Sequence, residues 1–368
     1  MSGRSRRILF FADASHVHTR RWVQAMVERG FECIVATRLP ADLPGAAEVV
    51  AVHPGSDAIG WFAALPSVRA LARRLAPQWI HGHYVTSYGL WAASCRGIAP
   101  VVLTAWGSDL LVTPRERGWR GRFMHALVGW SLRRADLVTA DASDVIEAIR
   151  AHGVAAPCHE LLWGVDTQRF CPVASARSDD AETFEIVSLR QWEANYHIDV
   201  LLHAVAQLRR EPSRPRIGLT LLGGGSREAS LRRLAAELDL GDAVRFVGRV
   251  DDAGMVAALQ RADVSVSVPS SDATSVAMLE SMSCGLPVIA SDLPANRAWI
   301  DAAQLVPAGD ADALAAALRV LRDDPQRRRV LGERNRRAVV ERASRRVHMD
   351  RMAALYESLR PAAREAVA

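Results

Sequence analysis

The sequence predicts an α/β protein of two domains, each built on a parallel β-sheet with helices on both faces. Short apolar runs alternate with amphipathic helical segments from one end of the chain to the other, as expected of strands buried on both faces. The chain has 368 residues, and so many predicted strands over this length favour two domains rather than one. Hydrophobic residues make up 49% of the chain and charged residues 24%, which argues against a mainly disordered protein.

The first half of the chain opens with a predicted strand over Arg7–Phe11, followed by a helix over Arg20–Arg29 that Gly30 ends. Glu32–Thr37 predicts the second strand. Further short strands between helical segments are predicted at Pro100–Ala105 and Ala135–Ala140. The second half repeats the pattern, with strands predicted at Glu182–Leu189, Ile217–Leu222, Ala243–Val247, Val264–Val268 and Pro287–Ala290.

The boundary between the domains is predicted near Trp163–Pro172, because a polar stretch at Ser175–Asp180 follows it and a new strand then begins. Beyond about Asp310 the sequence is helical. Asp310 and Asp312 form a DxD pattern that could hold a metal ion. They also open the helix Ala311–Leu321, where acidic residues cap the positive end, and the context favours this capping interpretation.

Composition also limits the cellular setting. The longest apolar runs, such as Ile8–Ala12, are far shorter than the ~20 residues that span a bilayer. The basic N-terminal segment has an apolar core of only five residues, so we expect no secretory signal. The cysteines are dispersed without CxxC spacing, which fits a reducing cytoplasm and predicts no metal cluster. They are Cys33, Cys95, Cys158, Cys171 and Cys284.

The sequence contains no lysine, so all 46 basic residues are arginines. This absence excludes enzymes that need a Schiff-base lysine, a pyridoxal-phosphate lysine or the lysine of a phosphate-binding P-loop. A phosphate group bound by this protein would therefore be held by arginine, by backbone N–H groups or through a metal ion.

Positive charge is concentrated in the first half. Residues 1–170 hold 19 arginines against 14 acidic residues, whereas residues 171–368 hold 27 of each. The excess suggests an anionic partner there, such as a phosphorylated lipid or a membrane surface, although a merely soluble basic surface is the alternative. Nucleic acid is not expected, because the arginines are dispersed and no nucleic-acid-binding motif occurs.

One segment of that half combines aromatic and basic residues. The aromatic and apolar residues Trp119, Phe123, Leu127 and Trp130 recur at helical spacing, beside Arg117, Arg120 and Arg122. The spacing predicts either an interfacial amphipathic helix or a helix that packs its aromatic stripe into the core.

Two glycine signals differ in what they predict. The first strand is followed by ADASHVHTRRW rather than GxGxxG, which disfavours a dinucleotide-binding Rossmann domain. The GGGSRE segment, Gly223–Glu228, follows a predicted strand and opens a helix. Its glycines, including Gly224 and Gly225, would let the backbone approach a phosphate or another chain segment, or would form a tight turn.

The segment Pro269–Asp292, PSSDATSVAMLESMSCGLPVIASD, predicts an anion site at the carboxyl edge of a parallel sheet. Ser271 or Asp272 is expected to cap a helix that runs to about Ser283 and ends at Gly285. The free N–H groups at the helix start would belong to Thr274, Ser275 and Val276.

Glu280 lies within this otherwise apolar helix. Burying an unpaired carboxylate is costly. A pair of ligand hydroxyls or an internal salt bridge would satisfy it.

This segment resembles the retaining family 4 glycosyltransferases of the GT-B fold, of the bacterial surface-polysaccharide type. The family carries an E-x7-E pattern followed by AMACGLPVI, and here Asp272 and Glu280 are followed by SMSCGLPVI. The resemblance extends over nearly the whole chain. The similar segments are HTRRWVQAM, HYVTSYGLWAA, VVLTAWGSDLL, WGVDTQRFCP, SLRQWEANYHIDVLLHAV, ADVSVSVPSSDATS, LLGGGSREASLRRLAAELDLGDAVRFVGRV and HMDRMAALYESL.

The resemblance implies two Rossmann-like domains that face each other across a cleft. Residues 1–168 would form the acceptor-binding domain and residues 169–345 the nucleotide-sugar-binding domain. Residues 346–368 would form a helix that returns to the first domain.

By the same resemblance, the chain would transfer a hexosyl unit from a UDP- or GDP-sugar to a hydroxyl group, with retention at the anomeric carbon. Arg190 and the helix start would stabilise the departing diphosphate, so that neither a metal ion nor a cofactor is required. The donor-side residues would be Arg190, Gly224, Gly225, Asp272, Thr274, Ser275, Val276 and Glu280. Of these, Arg190, Asp272 and Glu280 would be catalytic, Glu280 by holding the ribose hydroxyls.

On the acceptor side, His16, His83 and Asp109 are the candidates. His81 and His83 flank a strand end in IHGHY, and two structural histidines are the alternative to contact with the acceptor. The acceptor would be a saccharide or lipid-linked saccharide of the cell envelope, such as lipopolysaccharide. The setting would be the cytoplasm, with peripheral attachment to the inner face of the membrane.

Four positions depart from the family pattern. Asp272 replaces the first glutamate, and Tyr196 stands where the donor loop has lysine. Trp106 replaces a histidine before Gly-x-Asp, and Ser15-His16 replaces a glycine pair. Two alternatives therefore stay open, namely a nucleotide-sugar epimerase of the same fold and a non-catalytic sugar-nucleotide-binding protein.

Overall fold

The chain divides into two compact units in the computed structural model. The first unit comprises Met1–Trp163 and Arg346–Ala368, and the second comprises Gly164–Arg345. The residues described are 6–52, 58–111, 118–173, 182–211 and 215–359, so Arg117 and the polar stretch Ser175–Asp180 lie outside them.

The first unit is a seven-stranded, fully parallel sheet with the strand order β3-β2-β1-β4-β5-β6-β7. Its strands are β1 (Arg7–Phe11), β2 (Glu32–Thr37), β3 (Glu48–Ala51), β4 (Trp79–His83), β5 (Val101–Thr104), β6 (Leu137–Ala140) and β7 (Cys158–Glu160). Its helices include α1 (Val17–Val27), α2 (Ala58–Ala63), α3 (Leu65–Leu75), α4 (Tyr88–Ser94), α5 (Ser108–Leu111), α6 (Trp119–Leu132) and α7 (Ser143–Ala151).

The second unit is a six-stranded, fully parallel sheet with the order β10-β9-β8-β11-β12-β13. Its strands are β8 (Thr183–Ser188), β9 (Arg216–Leu222), β10 (Val244–Gly248), β11 (Val264–Ser267), β12 (Val288–Ser291) and β13 (Leu305–Val306). Its helices are α8 (Ile198–Arg210), α9 (Glu228–Glu237), α10 (Asp252–Arg261), α11 (Val276–Ser283), α12 (Pro294–Arg297), α13 (Ala311–Asp323) and α14 (Pro325–Arg342). The two Rossmann-like sheets confirm the predicted fold class.

Each sheet reverses its strand order at one place. In the first unit the chain builds outwards from β1 to β3 and then returns to add β4 beside β1; in the second, β11 is added beside β8 in the same way. A crevice opens outside the carboxyl ends of the two strands at such a switch point, and open α/β sheets bind their ligands there. The loops after β1, β4, β8 and β11 are therefore the places to search for a site.

Local signals fix several element ends. Gly30 ends α1 as predicted, with its N–H donated to the carbonyl of Val27 and a φ of 78°. The helix begins at Val17, three residues before the predicted start, because the His16 side chain caps it. Asp310 caps α13 by accepting the N–H of Ala313 at 2.8 Å, which confirms the capping interpretation of the DxD pattern.

The last helix, α15 (Arg345–Ser358), returns to the first unit, where the buried Tyr356 ring lies against Trp79. Its hydroxyl hydrogen-bonds Nδ1 of His81 at 2.5 Å. The other ring nitrogen of His81 bonds the hydroxyl of Thr104, which in turn bonds that of Thr139. This buried chain of hydrogen bonds ties α15 to β4, β5 and β6.

The aromatic stripe of α6 lies on the surface. Trp119 is 71% exposed, Phe123 46% and Trp130 36%, so the core-packing alternative for this stripe is wrong. Within the part of the chain that the structure describes, no helix combines the length and apolarity needed to cross a membrane.

Candidate active site

The switch point of the second sheet brings Arg190 and the start of α11 together. Arg190 follows β8, and residues 270–275 follow β11, the strand paired with β8. Arg190 donates from Nη1 to the Ser275 hydroxyl at 2.5 Å and from Nη2 to the Asp272 carboxylate at 2.7 Å. The structure thus joins three of the predicted donor-side residues in one cluster.

The Arg190 guanidinium keeps one donor unused. The residue is only 9% exposed, and its Nε is buried without a hydrogen-bond partner among the described residues. A buried N–H without an acceptor costs on the order of 1–3 kcal/mol. An anion that accepts this hydrogen bond would recover that free energy, and arginine suits phosphate in particular because its planar fork of donors can bind two oxygens.

Tyr196 covers this guanidinium. The Tyr196 ring centroid lies 4.4 Å from Cζ of Arg190, which is cation–π geometry. Tyr196 occupies the position at which the resembling family has lysine. The cluster therefore has an aromatic ring where the family has a second cation. The positive side-chain charge of the cluster comes from Arg190.

The cap of α11 differs from the prediction. Ser275 caps the helix, with its hydroxyl accepting the N–H of Met278 at 3.3 Å, so assigning the cap to Ser271 or Asp272 was wrong. The physical reason is a contact distant in sequence. Asn195 bonds both the N–H and the carbonyl of Ser271, at 3.2 and 2.9 Å, and this pairing holds the preceding loop out of the helix.

The start of α11 supplies further anion donors beside Arg190. The first N–H groups of an α-helix have no intrahelical acceptor, and the helix dipole places partial positive charge there. In α11 these groups belong to Val276 and Ala277, next to the Ser275 hydroxyl that bonds Arg190. Thr274 lies before the cap, so counting its N–H among the free groups of the helix start was wrong. The predicted residues Thr274, Ser275 and Val276 are all at least nine-tenths buried, so their backbone is held firmly in place.

Glu280 lies one turn along the same helix from Val276. Residues four apart share a helix face, so the Glu280 side chain leaves α11 on the side of its N-terminal residue Val276. It is 2% exposed. Gly285 ends the helix as predicted, with a φ of 77° and its N–H bonded to the Met282 carbonyl.

The glycine loop after β9 lies against the loop that carries Arg190. A Cβ on Gly223 would come within 2.3 Å of the Arg190 carbonyl oxygen, and one on Gly225 within 2.5 Å of that of Trp192. The Trp192 N–H bonds the Gly224 carbonyl at 3.0 Å. Of the three alternatives foreseen for these glycines, the structure displays the approach to another chain segment, and it adds Gly223, which sequence reasoning had not singled out as a site residue.

The switch point of the first sheet carries a buried cluster of histidine and tryptophan rings. His83, the last residue of β4, is 1% exposed, and its ring lies 5.2 Å from Trp22 and 5.7 Å from both Trp106 and Trp163. Neither of its ring nitrogens has a hydrogen-bond partner among the described residues. Burial, with a smaller contribution from the charge of His16, lowers the pKa of His83 to about 3, so the ring is neutral at physiological pH.

His16 and Trp106 form the more exposed side of this cluster. The His16 ring lies 4.8 Å from Trp106, and Tyr84 stacks on Trp106 at 4.6 Å. His16 also caps α1 by accepting the His18 N–H on Nδ1 at 3.2 Å. Burial lowers the pKa of His16, against the opposing effect of the Asp13 carboxylate.

Asp109 acts on backbone groups. It is 1% exposed, and it accepts the N–H of Val85 at 2.7 Å and that of Trp106 at 3.0 Å, each on a different carboxylate oxygen. Burial raises the pKa of Asp109 to about 6, although its backbone hydrogen bonds oppose the rise. The carboxyl group ties the loop after β4 to the loop after β5 and so fixes Trp106.

Sequence reasoning noted Trp106 and Tyr196 only as departures and did not predict a role for Trp163. Trp106 follows β5 and Trp163 ends the first stretch of the first unit, so the available signal for these two was an aromatic residue just outside a strand or at a domain end. Tyr196, eight residues after β8, gave no such signal. The structure places Trp106 and Trp163 in the ring cluster around His83, and Tyr196 in the Arg190 cluster.

Comparison with known proteins gives matches for both units. Residues 7–142 match the family described as glycosyl transferase 4-like, and residues 176–338 match the glycosyl transferases group 1. The phosphatidyl-myo-inositol mannosyltransferase of Mycolicibacterium smegmatis is 32% identical over 211 residues, which make up 56% of this chain and 51% of that protein. The chain thus spans about half the length of that relative.

Two solved structures resemble nearly the whole chain. The sucrose-phosphate synthase of Thermosynechococcus elongatus has a TM-score of 0.80 at 22% identity and covers 96% of this chain and 98% of its own. The Anabaena protein HepE, in complex with UDP-glucose, has a TM-score of 0.79 at 15% identity and covers 96% and 100%. At these identities the likeness establishes the fold.

Proposed function

We propose a retaining hexosyl transfer for this chain, which belongs to the group 1 and 4-like glycosyltransferases. The donor is a nucleotide sugar, a UDP- or GDP-sugar, bound by the second unit. The acceptor is a hydroxyl group of a saccharide or lipid-linked saccharide in cell-envelope polysaccharide synthesis, including lipopolysaccharide. The enzyme works as a peripheral protein at the cytoplasmic face of the membrane.

The observation that carries this proposal is the Arg190 cluster at the start of α11. A guanidinium with one unused donor stands beside the N-terminal N–H groups of a helix, at the switch point of a parallel sheet. This combination suits a diphosphate, which has several acceptor oxygens and a charge that grows as it departs. The relative that was solved with UDP-glucose supports a donor of this class.

In the proposed reaction, the bond between the anomeric carbon and the diphosphate oxygen breaks while the acceptor oxygen bonds to the same face of the sugar. The acceptor proton passes to the departing diphosphate. Arg190 and the first N–H groups of α11 stabilise the negative charge on that group. These fixed donors supply the neutralisation, so we propose that no metal ion or cofactor is required.

The two acids have different parts in the proposal. Glu280, on the side of α11 that carries Val276, accepts hydrogen bonds from the ribose hydroxyl groups. Asp272 holds Arg190 before the donor binds, and its charge then faces the sugar. On the acceptor side, Asp109 and His83 fix the loops and rings around Trp106, and His16 stands on the more exposed side of that cluster.

The first measurement of the test is the binding of the nucleoside diphosphate alone. We expect UDP or GDP to raise the melting temperature, because a ligand at 100 times its Kd adds about 2.7 kcal/mol to the stability of the folded state. The matching nucleotide sugar is then incubated with and without candidate acceptors, and the anomeric configuration of the product is read by NMR. Sugar transfer with retention, unaffected by EDTA, would support the proposal. Inversion, or epimerised sugar and free nucleotide formed without any acceptor, would contradict it.

A further inference from the structure

An exposed apolar face joins α2 and α6 in the first unit. Trp119 is 71% exposed and Phe123 46%, and they lie one turn apart on α6. Ile59 on α2 is 74% exposed, and the neighbouring Phe62 ring lies 6.1 Å from that of Phe123. We call these four residues the α2–α6 face. Contiguous apolar surfaces of this kind mark places where soluble proteins meet a partner or a membrane.

Folding of the two helices does not depend on this face. Trp61 anchors α2, with its ring 4.5 Å from that of Trp91 and its carbonyl accepting the Trp91 indole N–H at 3.0 Å. The inner side of α6 is held by Val128 and Leu132, which are fully buried. The residues of the α2–α6 face therefore contribute little to the core, and their exposure needs another explanation.

Arginine far outnumbers acidic residues in the stretch of chain that carries the face. Residues 58–135 contain ten arginines, against Glu116 and the buried Asp109. Arg120 and Arg122 are exposed on α6, and Arg73 and Arg74 are exposed on α3, the helix that follows α2. Aromatic residues flanked by arginines on a surface helix are typical of proteins that lie in the interface of an anionic bilayer.

We propose that the α2–α6 face docks on an anionic lipid bilayer, with its aromatic rings at the acyl boundary and the arginines on the headgroups. The proposal deepens the proposed function, since it names the surface that would bring this enzyme to a lipid-linked acceptor. A second copy of the chain fits the face less well. A two-fold contact would place this surface against itself, and the described helices α2, α3 and α6 offer no acidic side chain to pair with the arginines.

The experiment is co-sedimentation of the full chain with phosphatidylcholine vesicles, with and without 30% phosphatidylglycerol. We expect binding only to the anionic vesicles, and a fall in binding as salt is raised from about 0.05 to 0.5 M. The double variant Trp119→Ser, Phe123→Ser should lower the partition constant at least tenfold. Arg120→Gln and Arg122→Gln should each lower it about fivefold.

The matched controls lie on α14 in the second unit. Val330→Ser removes an apolar side chain that is 53% exposed, and Arg337→Gln removes an exposed arginine. Neither should change vesicle binding. Melting temperature and UDP or GDP binding are measured for every variant, and they should stay as in the wild type because all the changed residues are exposed.

Three outcomes would overturn the docking proposal. They are equal binding to neutral vesicles, binding that the α6 variants leave unchanged, and a dimer in light scattering that the Trp119→Ser, Phe123→Ser variant breaks up. None of them bears on the proposed function, which fails separately if no nucleotide binds and no sugar is transferred to a soluble acceptor.

Discussion

Asp272→Asn tests the Arg190 cluster most directly. The carboxylate accepts a hydrogen bond from Nη2 of Arg190 at 2.7 Å, with the two side chains 22% and 10% exposed. Asparagine keeps an acceptor oxygen but loses the charge. The guanidinium stays charged, so the variant loses only the ion-pair attraction, which for a partly exposed pair is up to about 1 kcal/mol. In a unit of this size a loss of about 1 kcal/mol lowers the melting temperature by about 2–4 °C.

Ligand binding should change in the opposite direction. Asp272 occupies one arm of the guanidinium, and a diphosphate must compete with it for that arm. The Asn variant should therefore bind UDP or GDP at least as tightly as the wild type, and up to about fivefold more tightly if the full 1 kcal/mol is recovered. Turnover of the nucleotide sugar should still fall by about 10²-fold, because the charge that faces the sugar in the transition state is gone.

Three measurements on one preparation decide this prediction: the melting temperature, the Kd of the nucleoside diphosphate by calorimetry, and turnover by nucleotide release. Asp251→Asn is the matched control, because Asp251 caps α10 by accepting the Gly254 N–H at 2.8 Å, and asparagine caps equally well. An unchanged melting temperature together with unchanged turnover would leave Asp272 as an ordinary loop residue. Weaker binding of UDP or GDP by Asp272→Asn than by the wild type would refute the idea that Asp272 competes with the diphosphate for Arg190.

Substitutions at four further residues probe both units. Arg190→Ala should lower turnover by about 10²-fold or more, and turnover within threefold of the wild type would rule out its assigned role. Tyr196→Ala should raise the KM for the donor severalfold, whereas Tyr196→Phe should leave it unchanged, because the ring alone makes the cation–π contact with Arg190. Equal effects of the two substitutions on KM would contradict this stacking role. The pKa of His83 is about 3 in the folded protein and 6.5 in the unfolded chain, so between these pH values only the unfolded chain binds the proton. The contribution of His83 to the free energy of unfolding therefore falls as the pH drops below 6.5, by about 3 kcal/mol at pH 4. His83→Phe cannot titrate, so urea unfolding should show a smaller loss from pH 7 to pH 4, and an equal loss would refute the shift. Tyr356→Phe leaves Nδ1 of His81 without its partner and should cost about 1–3 kcal/mol in thermal unfolding, with no change in UDP or GDP affinity.

Much of the fold could be predicted because its signals are local. The buried strand Arg7–Phe11 is an apolar run, Gly30 and Gly285 end helices at positive φ, and Asp310 caps the helix that it opens. Of the four strands without a predicted range, three lie at sheet edges, where β3 is half exposed, β7 has three residues and β13 two, so none leaves a clear apolar pattern. The fourth, β4, is central and buried, but its sequence WIHGH is interrupted by two histidines and a glycine and so does not form an apolar run.

The site was harder to predict where contacts distant in sequence decide the geometry. Asn195 holds Ser271 across 76 positions and moves the cap of α11 to Ser275, although Ser271 and Asp272 are good capping residues on local grounds. The family resemblance predicted Arg190 as the phosphate ligand, but its pairing with Asp272 and stacking on Tyr196 depend on how β8 and β11 meet. The same holds for the rings around His83, which four separate segments supply.

The return of α15 to the first unit also affects the order in which a ribosome can complete the protein. The parallel sheet from β1 to β7 has emerged in full by residue 160, yet the partner of the buried His81 is Tyr356, almost two hundred residues later. Until then the nascent sheet lacks the ring that covers Trp79 and the hydroxyl that bonds His81. The second unit is contiguous in sequence and can reach its final packing earlier. Domain-by-domain maturation during synthesis would therefore finish the second unit before the first, against the usual N-to-C order.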